Sequence, residues 1–426
     1  MQSGGLIREN DRRPDERVAS DSWVSTPAEA GCPEGWQENL RKSIPMGLRD
    51  HPRLGRISSA LDSNQRLTRD DGLLLMQDPD LPSVLALGEA SKRARYGSDV
   101  FFNSNLHINQ TNVCVLACRF CAFRRGPAAS DAYALDIEEY LARLAPYAEH
   151  VDEVHTVGGL HPEWTIDHYE ALFRSIKQEF PHVTVKALTA VEIKHLADIS
   201  HLTITQTLSR LRDSGLDILP GGGAEILSDE VRDVICRGKE SSAEYLAIHR
   251  TAHELDIPTN CTMLFGTIET ASARVDHLLS LRGLQDETGG FQCFVPYPFL
   301  PDHTRLPQAQ LASASEVLRV IAVSRLLLDN IPHIKAYRMN IGDRLAQLAL
   351  NCGADDIDGT VGHEEIMHSA GSTTSLDDGR PELARLVRDA GCTPVQRDSL
   401  YTHFRRYQDP PAPGRAHLPV AGQVVS

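Results

Sequence analysis

Three cysteines, Cys114, Cys118 and Cys121, are spaced in a way that could support redox chemistry. Three and then two residues separate them within the segment CVLACRFC. Three thiolates form a soft, electron-rich ligand set that suits an iron–sulfur cluster. Because three thiolates cannot bind all four irons of a [4Fe-4S] cubane, one iron would stay open to an external ligand. The alternative is a structural zinc site with His107 or a remote cysteine as fourth ligand.

The cysteine segment follows the first of eight short apolar runs that alternate with helical patterns. This alternation is typical of βα units around a parallel sheet, so eight strands predict an α/β fold of the TIM-type (β/α)8 barrel class. The predicted strands are residues 101–108, 153–157, 183–187, 217–219, 259–264, 292–296, 334–338 and 355–358. In such a barrel the loops after the strands converge on one face, where we expect the chemistry.

Helix start signals separate the predicted strands. Asp136 with Glu139, and Ser241 with Glu244, have the spacing of a capping box, in which each side chain satisfies the other residue's free backbone amide. The second pair predicts a helix over residues 242–255, which ends before Pro258.

Composition and charge exclude several classes of protein. The chain has 426 residues, of which 41% are hydrophobic and 24% charged, as in an ordinary globular protein. Its net charge of −15 gives no general attraction to nucleic acids or anionic membranes, so local cations must hold any anionic ligand. The scattered cysteines do not indicate a disulfide scaffold. No segment has the length and apolarity of a membrane span or a signal core, which favours a cytoplasmic location.

The two ends of the chain differ from its middle. Residues 1–50 mix charges of both signs with four prolines and predict a flexible N-terminal arm. Residues 51–408 are expected to form the barrel core with a C-terminal helical part. Residues 409–426 carry four more prolines and predict a loose tail.

The cysteine segment also resembles that of the radical S-adenosylmethionine (SAM) superfamily, including the aromatic residue before the third cysteine. The flanking segments HINQTNVC and CAFRR are similar to the branch that contains menaquinone enzymes and deazaflavin-forming synthases. Further segments, VGGLHP, AVEI, LPGGGAE and LQDETGGF, look most like the aminofutalosine synthase family. The resemblance runs from about residue 55 to about residue 405.

This resemblance implies cofactors, a partner and a reaction. A [4Fe-4S] cluster on the three cysteines would bind SAM at its open iron, and an electron donor such as flavodoxin or ferredoxin would reduce it. Members of the family cleave SAM to a 5′-deoxyadenosyl radical and add it to the enolpyruvyl double bond of a small-molecule substrate, 3-[(1-carboxyvinyl)oxy]benzoate. Rearrangement and loss of one carboxyl then give 6-amino-6-deoxyfutalosine, a menaquinone precursor. The protein would position the reactants and exclude water.

Cofactor-binding residues are implied by the same resemblance. Phe120 lies beside the third cysteine, and Gly158 with Gly159 resembles the contact to the methionine amino group. A simple tight turn is the alternative for the glycine pair. Glu192 could accept hydrogen bonds from ribose hydroxyls or the methionine ammonium, or stand as a solvated carboxylate at a helix start. Gly222, within a run of three glycines, could cradle the adenosyl group or only provide a positive φ.

Three segments on the expected catalytic face depart from the family pattern. The chain reads FGTIE where the family has YGH before an acid, and FLPDHT where it has FHP followed by NT; Arg338 replaces a tryptophan after Tyr337. The expected catalytic residues of these segments are Thr267, Glu269, His303 and Arg338. An acceptor with two carboxylates needs fixed cations, and the candidates at the strand ends are Arg305, Arg338 and His303.

Three functions are open on the sequence alone. The first is aminofutalosine synthase activity, and the second is addition of the deoxyadenosyl radical to a different unsaturated acid in adenosine-derived natural-product biosynthesis. The third is a non-catalytic iron–sulfur or zinc barrel. The open-iron cysteine set favours the two enzymes, and the three departures bear on the acceptor rather than on the cluster.

Overall fold

The computed structural model describes residues 23–26 and 34–407. These residues form eleven strands: β1 (Trp23–Thr26), β2 (Asp99–Phe102), β3 (Asn105–His107), β4 (Glu153–Thr156), β5 (Thr184–Ala187), β6 (Thr259–Phe265), β7 (Phe291–Pro298), β8 (His333–Ala336), β9 (Asp356–Ile357), β10 (Thr393–Arg397) and β11 (Phe404–Tyr407). The helices before β7 are α1 (Trp36–Ser43), α2 (Met46–Arg49), α3 (Gly55–Asp62), α4 (Arg69–Gln77), α5 (Leu81–Tyr96), α6 (Ile137–Leu144), α7 (Ile166–Glu179), α8 (Ala190–Ser200), α9 (Ile204–Asp213), α10 (Asp229–Ile235), α11 (Ser242–Glu254) and α12 (Ala271–Thr288). Those after β7 are α13 (Ala314–Leu327), α14 (Arg338–Ile341), α15 (Asp343–Ala349), α16 (Ile366–Ser369) and α17 (Arg380–Asp389). No helix in these ranges has both the length and the apolarity to cross a bilayer.

Parallel strands close into a barrel, which confirms the predicted TIM-type fold. β3, β4 and β5 pair in parallel, as do β6, β7, β8 and β9. Ile218 bridges to β5 and Leu219 to β6, which fills the fourth position of the barrel. β9 pairs with β2, and the backbone N–H of His107 in β3 donates to the Val361 carbonyl at 2.8 Å, which completes the ring.

Two of the predicted strands differ from the observed ones in ways that matter for the site. Residues 217–219 form only isolated bridges, because Pro220 ends the extended segment. The seventh strand ends at Ala336, and Arg338 starts helix α14 instead of closing the strand.

The capping boxes of α6 and α11 are confirmed. The backbone N–H of Glu139 donates to the Asp136 carboxylate at 2.8 Å. The backbone N–H of Asp136 donates to the Glu139 carboxylate at 3.0 Å. Ser241 and Glu244 make the same reciprocal pair at 3.2 and 2.7 Å. Helix α11 ends at Glu254, one residue before the predicted end.

The flexible arm predicted for residues 1–50 is wrong for residues 34–50, which form α1 and α2 against the barrel. Leu40, Ile44 and Leu48 are buried at intervals of four residues, and the Trp36 ring stacks on the Arg95 guanidinium 3.8 Å from its centroid. This short apolar stripe is hidden among charges and prolines in the sequence. Residues 1–22, 27–33 and the predicted tail 409–426 lie outside the described residues.

An accessory sheet extends the barrel and escaped the sequence analysis. β10 pairs in parallel with β2, and β11 lies antiparallel between β10 and β1. Val395 and Phe404 of this sheet pack on Phe101 and Tyr96 in a small second core. Through β10, the C-terminal region supplies residues to the lower end of the barrel.

Candidate active site

A cavity of about 310 Å³ occupies the interior of the barrel and opens at the ends of its strands. The loop of residues 114–122 borders one side of the cavity, and loops after β4, β5 and β7 border the others. Polar and charged side chains of the strands themselves line the lower part. The expected catalytic face is therefore one continuous site that reaches from the cysteine loop into the barrel.

All three cysteines of the CVLACRFC segment line this cavity. Burial raises the pKa of the Cys118 thiol to about 12 and also raises that of Cys121. The backbone N–H groups of Phe123 and Arg124 donate to the Cys121 sulfur and partly offset this effect. The thiols of Cys118 and Cys121 therefore stay protonated at neutral pH until a metal displaces their protons.

The donor set fits a [4Fe-4S] cluster with one open iron. In a cubane each cysteine binds a different iron, so the three sulfurs need only border one cavity. Within residues 34–407, no three His, Cys, Asp or Glu side chains are arranged to hold a single metal ion. Cys236 is near enough to affect Cys118 electrostatically but does not line the cavity, so the cysteine loop provides three ligands and no fourth.

Arginines fix the conformation of the cysteine loop. Arg125 donates to the carbonyls of residues 122 to 124 at 2.8 to 3.1 Å, and the Cys114 N–H donates back to the Arg125 carbonyl at 3.0 Å. On the other side, Arg305 donates to the Ala117 carbonyl at 2.7 Å. These bonds hold the backbone of the loop in place before any cluster is bound.

Gly158 and Glu192 meet directly at the cavity wall. The Gly158 N–H donates to Glu192 Oε1 at 3.1 Å, and Gln110 Nε2 donates to the same oxygen at 3.3 Å. Glu192 Oε2 accepts from both the backbone and the hydroxyl of Thr189 at 2.7 Å, as the capping box of α8. Burial raises the pKa of Glu192 despite these donors. Glu192 thus ties the loop after β4 to the start of α8.

Close packing explains the glycines of these loops. A Cβ on Gly159 would lie 2.1 Å from the Val113 carbonyl oxygen, and one on Gly222 would lie 2.7 Å from Thr189 Cγ2. Gly222 lines the cavity, whereas Gly159 does not. Gly223 adopts a φ of +102°, so the positive-φ alternative applies to this member of the run.

Two protein-family models match the chain. They are the Radical SAM superfamily over residues 108–281 and the CofH/MqnC C-terminal region over residues 288–410. The aminodeoxyfutalosine synthase of Thermus thermophilus is 43% identical over 364 residues, which cover 84% of this chain and 98% of that protein. The chain belongs to the radical SAM enzymes. This family implies a [4Fe-4S] cluster and SAM, and the three cysteines are placed to hold the cluster.

Other relatives of this radical SAM enzyme carry other names. The cyclic dehypoxanthine futalosine synthase of Streptomyces coelicolor is 36% identical and covers 85% of this chain and 90% of its own length. The crystal structure of methylornithine synthase superposes with a TM-score of 0.64 at 18% identity, over 78% of this chain and 95% of that one. This last similarity supports the barrel fold alone.

Arg338, the expected carboxylate clamp of the radical SAM enzyme, does not line the cavity. It is fully buried, and its Nη1 donates to Asp378 at 2.6 Å and Asp343 at 3.1 Å. Its backbone N–H donates to Asp358 Oδ1 at 2.7 Å. The expectation is therefore corrected: the guanidinium lies outside the cavity lining and joins α14 to the loop before α17 through Nη1, while Nε and Nη2 have no hydrogen-bond partner among the described residues.

Four further expected residues also lie outside the cavity lining. His303 is exposed with a φ of +58°, and Arg305 uses its side chain to brace the cysteine loop. Glu269 is buried and accepts from the Gly266 and Thr267 amides at 2.6 and 2.9 Å and from the Thr267 hydroxyl at 2.6 Å. These contacts correct the expected catalytic and substrate-binding roles, because they shape the turn after β6 and the cysteine loop instead.

A buried ion pair beside the cysteine loop escaped the sequence analysis. Lys239 Nζ lies 2.5 Å from Glu225 Oε1 and 5.5 Å from the centroid of the Phe120 ring, and all three residues line the cavity. The Lys239 charge also acts on Cys118. The pair therefore places a fixed cation next to a cluster ligand, where it stabilises bound anions.

Two lysines inside the barrel were also missed. Lys186 of β5 and Lys335 of β8 line the lower cavity, each less than 10% exposed. The signal was present in the sequence, because each lysine interrupts an otherwise apolar predicted strand, in VTVKAL and in HIKAY. A lysine within a buried strand has to face a partner or a ligand.

Proposed function

We propose that this radical SAM enzyme adds the 5′-deoxyadenosyl radical to the enolpyruvyl double bond of 3-[(1-carboxyvinyl)oxy]benzoate and yields 6-amino-6-deoxyfutalosine. The observation that carries the proposal is the similarity at 43% identity to aminodeoxyfutalosine synthase over almost the full length of that protein. The cavity supports it, since the three thiols and three buried lysines, Lys186, Lys239 and Lys335, line one continuous volume.

The cluster and SAM, when bound, supply the deoxyadenosyl radical, and the acceptor traps it. The chain contributes the three thiols, the Gly158 and Gly222 loops and an apolar upper wall that includes Leu160, Val191 and Phe299. Such a wall excludes water from a reactive carbon and holds two reactants in a fixed relation. An external one-electron donor, such as flavodoxin or ferredoxin, completes the requirements of the proposal.

One departure from the family pattern favours a second candidate function. Leu300 lines the cavity at the position where the family has histidine, whereas Thr267, His303 and Arg338 do not line it. Loss of an imidazole next to the reactants removes a group that can exchange protons near neutral pH. The second candidate is therefore addition of the same radical to a different unsaturated acid.

Product analysis tests the two candidates. The anaerobically reconstituted enzyme is incubated with dithionite, SAM and 3-[(1-carboxyvinyl)oxy]benzoate. The products are separated by chromatography, then identified and quantified by mass spectrometry. We expect methionine together with an equal amount of an adenosylated product, because addition to an alkene retains the adenosyl carbon. Methionine with free 5′-deoxyadenosine alone contradicts the first candidate, and an adduct formed only with another unsaturated acid establishes the second.

A further inference from the structure

Five buried ionic groups lie at or near the lower end of the cavity, and we call them the floor cluster; Glu153, Lys186 and Lys335 line the cavity, whereas the other two members do not. Its members are Glu153 of β4, Lys186 of β5, Lys335 of β8, Asp356 of β9 and Arg397 of β10. Each of the five is less than 10% exposed. They interact electrostatically with one another, as the effects of Lys335 and Arg397 on both Glu153 and Asp356 show. Three of the five are cations and two are carboxylates, and two further carboxylates, Asp358 and Glu364, line the same cavity.

The cations of the floor cluster are unequally paired. Arg397 Nε lies 2.6 Å from Asp356 Oδ2, and Lys335 Nζ lies 2.9 Å from Asp356 Oδ1. The nearest carboxylate oxygen to Lys186 Nζ is Glu153 Oε2 at 3.8 Å, beyond hydrogen-bond distance. In the described part of the chain no hydrogen bond reaches Lys186 Nζ, although its side chain is only 8% exposed. Lys186, which lines the cavity, is therefore the cation of the floor cluster with the loosest ion pair.

Neighbouring groups do not supply a closer ionic partner for Lys186 within the described residues. Burial lowers the pKa of His107 to about 4 and holds that of His155 well below its ordinary value, so both rings are neutral at pH 7. Asp358 accepts from the Arg338 amide at 2.7 Å and lies beside its guanidinium. Glu364 accepts from backbone amides of residues 366–368 at 2.8 to 3.2 Å. A buried cation whose counterion lies beyond hydrogen-bond distance is poorly stabilised, and a bound anion in direct contact with it would lower that cost.

We propose that Lys186 binds one carboxylate of the acceptor at the floor of the cavity, and that the charge of Lys335 also attracts this carboxylate. The chemical class that fits is an unsaturated carboxylic acid, one ionised group of which would accept the hydrogen bond that Lys186 does not form within the described residues. The identity of the acceptor rests on the proposed function, whereas the anion site rests on the charges of the floor cluster. This assignment replaces the cations expected at the barrel mouth.

A binding experiment without reductant isolates the proposed contact. The reconstituted enzyme with SAM is titrated anaerobically with 3-[(1-carboxyvinyl)oxy]benzoate and with its two monomethyl esters. Lys186→Met should weaken binding of the diacid about ten- to a hundredfold, since a charge-assisted bond is lost. One monoester should bind equally to parent and variant, which identifies the carboxylate that Lys186 holds. Lys194→Met, which removes a surface lysine paired with Glu244, should leave all three affinities unchanged.

Several outcomes would overturn the assignment. Equal weakening of the diacid and both esters by Lys186→Met would show a general structural role. If this variant does not fold, the double variant Glu153→Gln/Lys186→Met removes the cation together with its nearest carboxylate, and it must show the same selective loss. A parent that neither binds nor converts the diacid refutes the proposed function alone. Benzoate then serves as the probe: binding to the parent that is lost in the variant supports the anion site, and no binding to the parent refutes it.

Discussion

Replacement of Gly159 by alanine tests whether close packing at this glycine holds the cysteine loop. The added Cβ would lie 2.1 Å from the Val113 carbonyl oxygen, whereas ordinary contacts begin near 3.4 Å, so the two backbones must separate by more than 1 Å. Val113 directly precedes Cys114, and the Gly159 amide donates to the Thr111 carbonyl at 2.8 Å. The strain therefore falls on the segment that presents the first cluster ligand.

We expect Gly159→Ala to lose about 1–3 kcal/mol of unfolding free energy, the usual cost of overpacking a buried site. Urea unfolding of the metal-free protein measures this loss, and iron analysis after anaerobic reconstitution should show less than the parent's content. Gly283→Ala is the matched control, because its Cβ meets nothing within 4 Å on an exposed turn of α12. This change should raise stability by up to about 1 kcal/mol and leave iron content unchanged. If Gly159→Ala keeps the stability and the iron content of the parent, the packing argument is refuted. If the variant loses only SAM binding, the result supports a direct contact between Gly159 and SAM.

Three further predictions follow from the contacts of the site. Cys121→Ala should abolish iron incorporation, whereas Cys236→Ala should retain about four irons per chain because its thiol lies off the cavity. Arg338→Leu should destabilise the fold by about 3 kcal/mol, because its buried carboxylate network loses its cation, while acceptor affinity stays at the parental value. A hydrogen bond to Glu364 raises the pKa of His368 above its ordinary 6.5, so their pairing stabilises the fold below that pH and is lost as pH rises through the raised pKa. In urea unfolding between about pH 6 and pH 8.5, His368→Gln should therefore lose less stability than the parent.

Much of the fold could be predicted from the sequence because local patterns determine it. Alternating apolar runs located all eight barrel positions, and the spacing of Asp136 with Glu139 located a helix start. The accessory sheet and helix α1 were missed for a physical reason: their stability comes from long-range contacts, such as Val395 with Phe101, rather than from local periodicity.

The upper part of the site was also predictable, since the cysteine spacing and the glycine loops are local signals. The cations that line the cavity could not be predicted in the same way. The charge of a residue and its position after a strand do not show which way its side chain points. Arg338 follows β8 as predicted, yet it starts a helix and turns towards Asp343 and Asp378. Lys186 lies within a strand and faces the cavity. Strand alternation, applied to lysines as well as to apolar residues, would have found it.

The position of these cations determines what each can contribute. At the barrel mouth an arginine such as Arg305 is exposed, and solvent screens its attraction for an anion. The net charge of −15 adds a long-range repulsion of any dianion that approaches. Solvent screens Lys186 less than Arg305, since Lys186 is buried within the barrel, and its nearest carboxylate lies 3.8 Å away. We therefore expect affinity for an anionic acceptor to depend more on Lys186 than on Arg305, because an ionic contact is stronger where solvent is excluded.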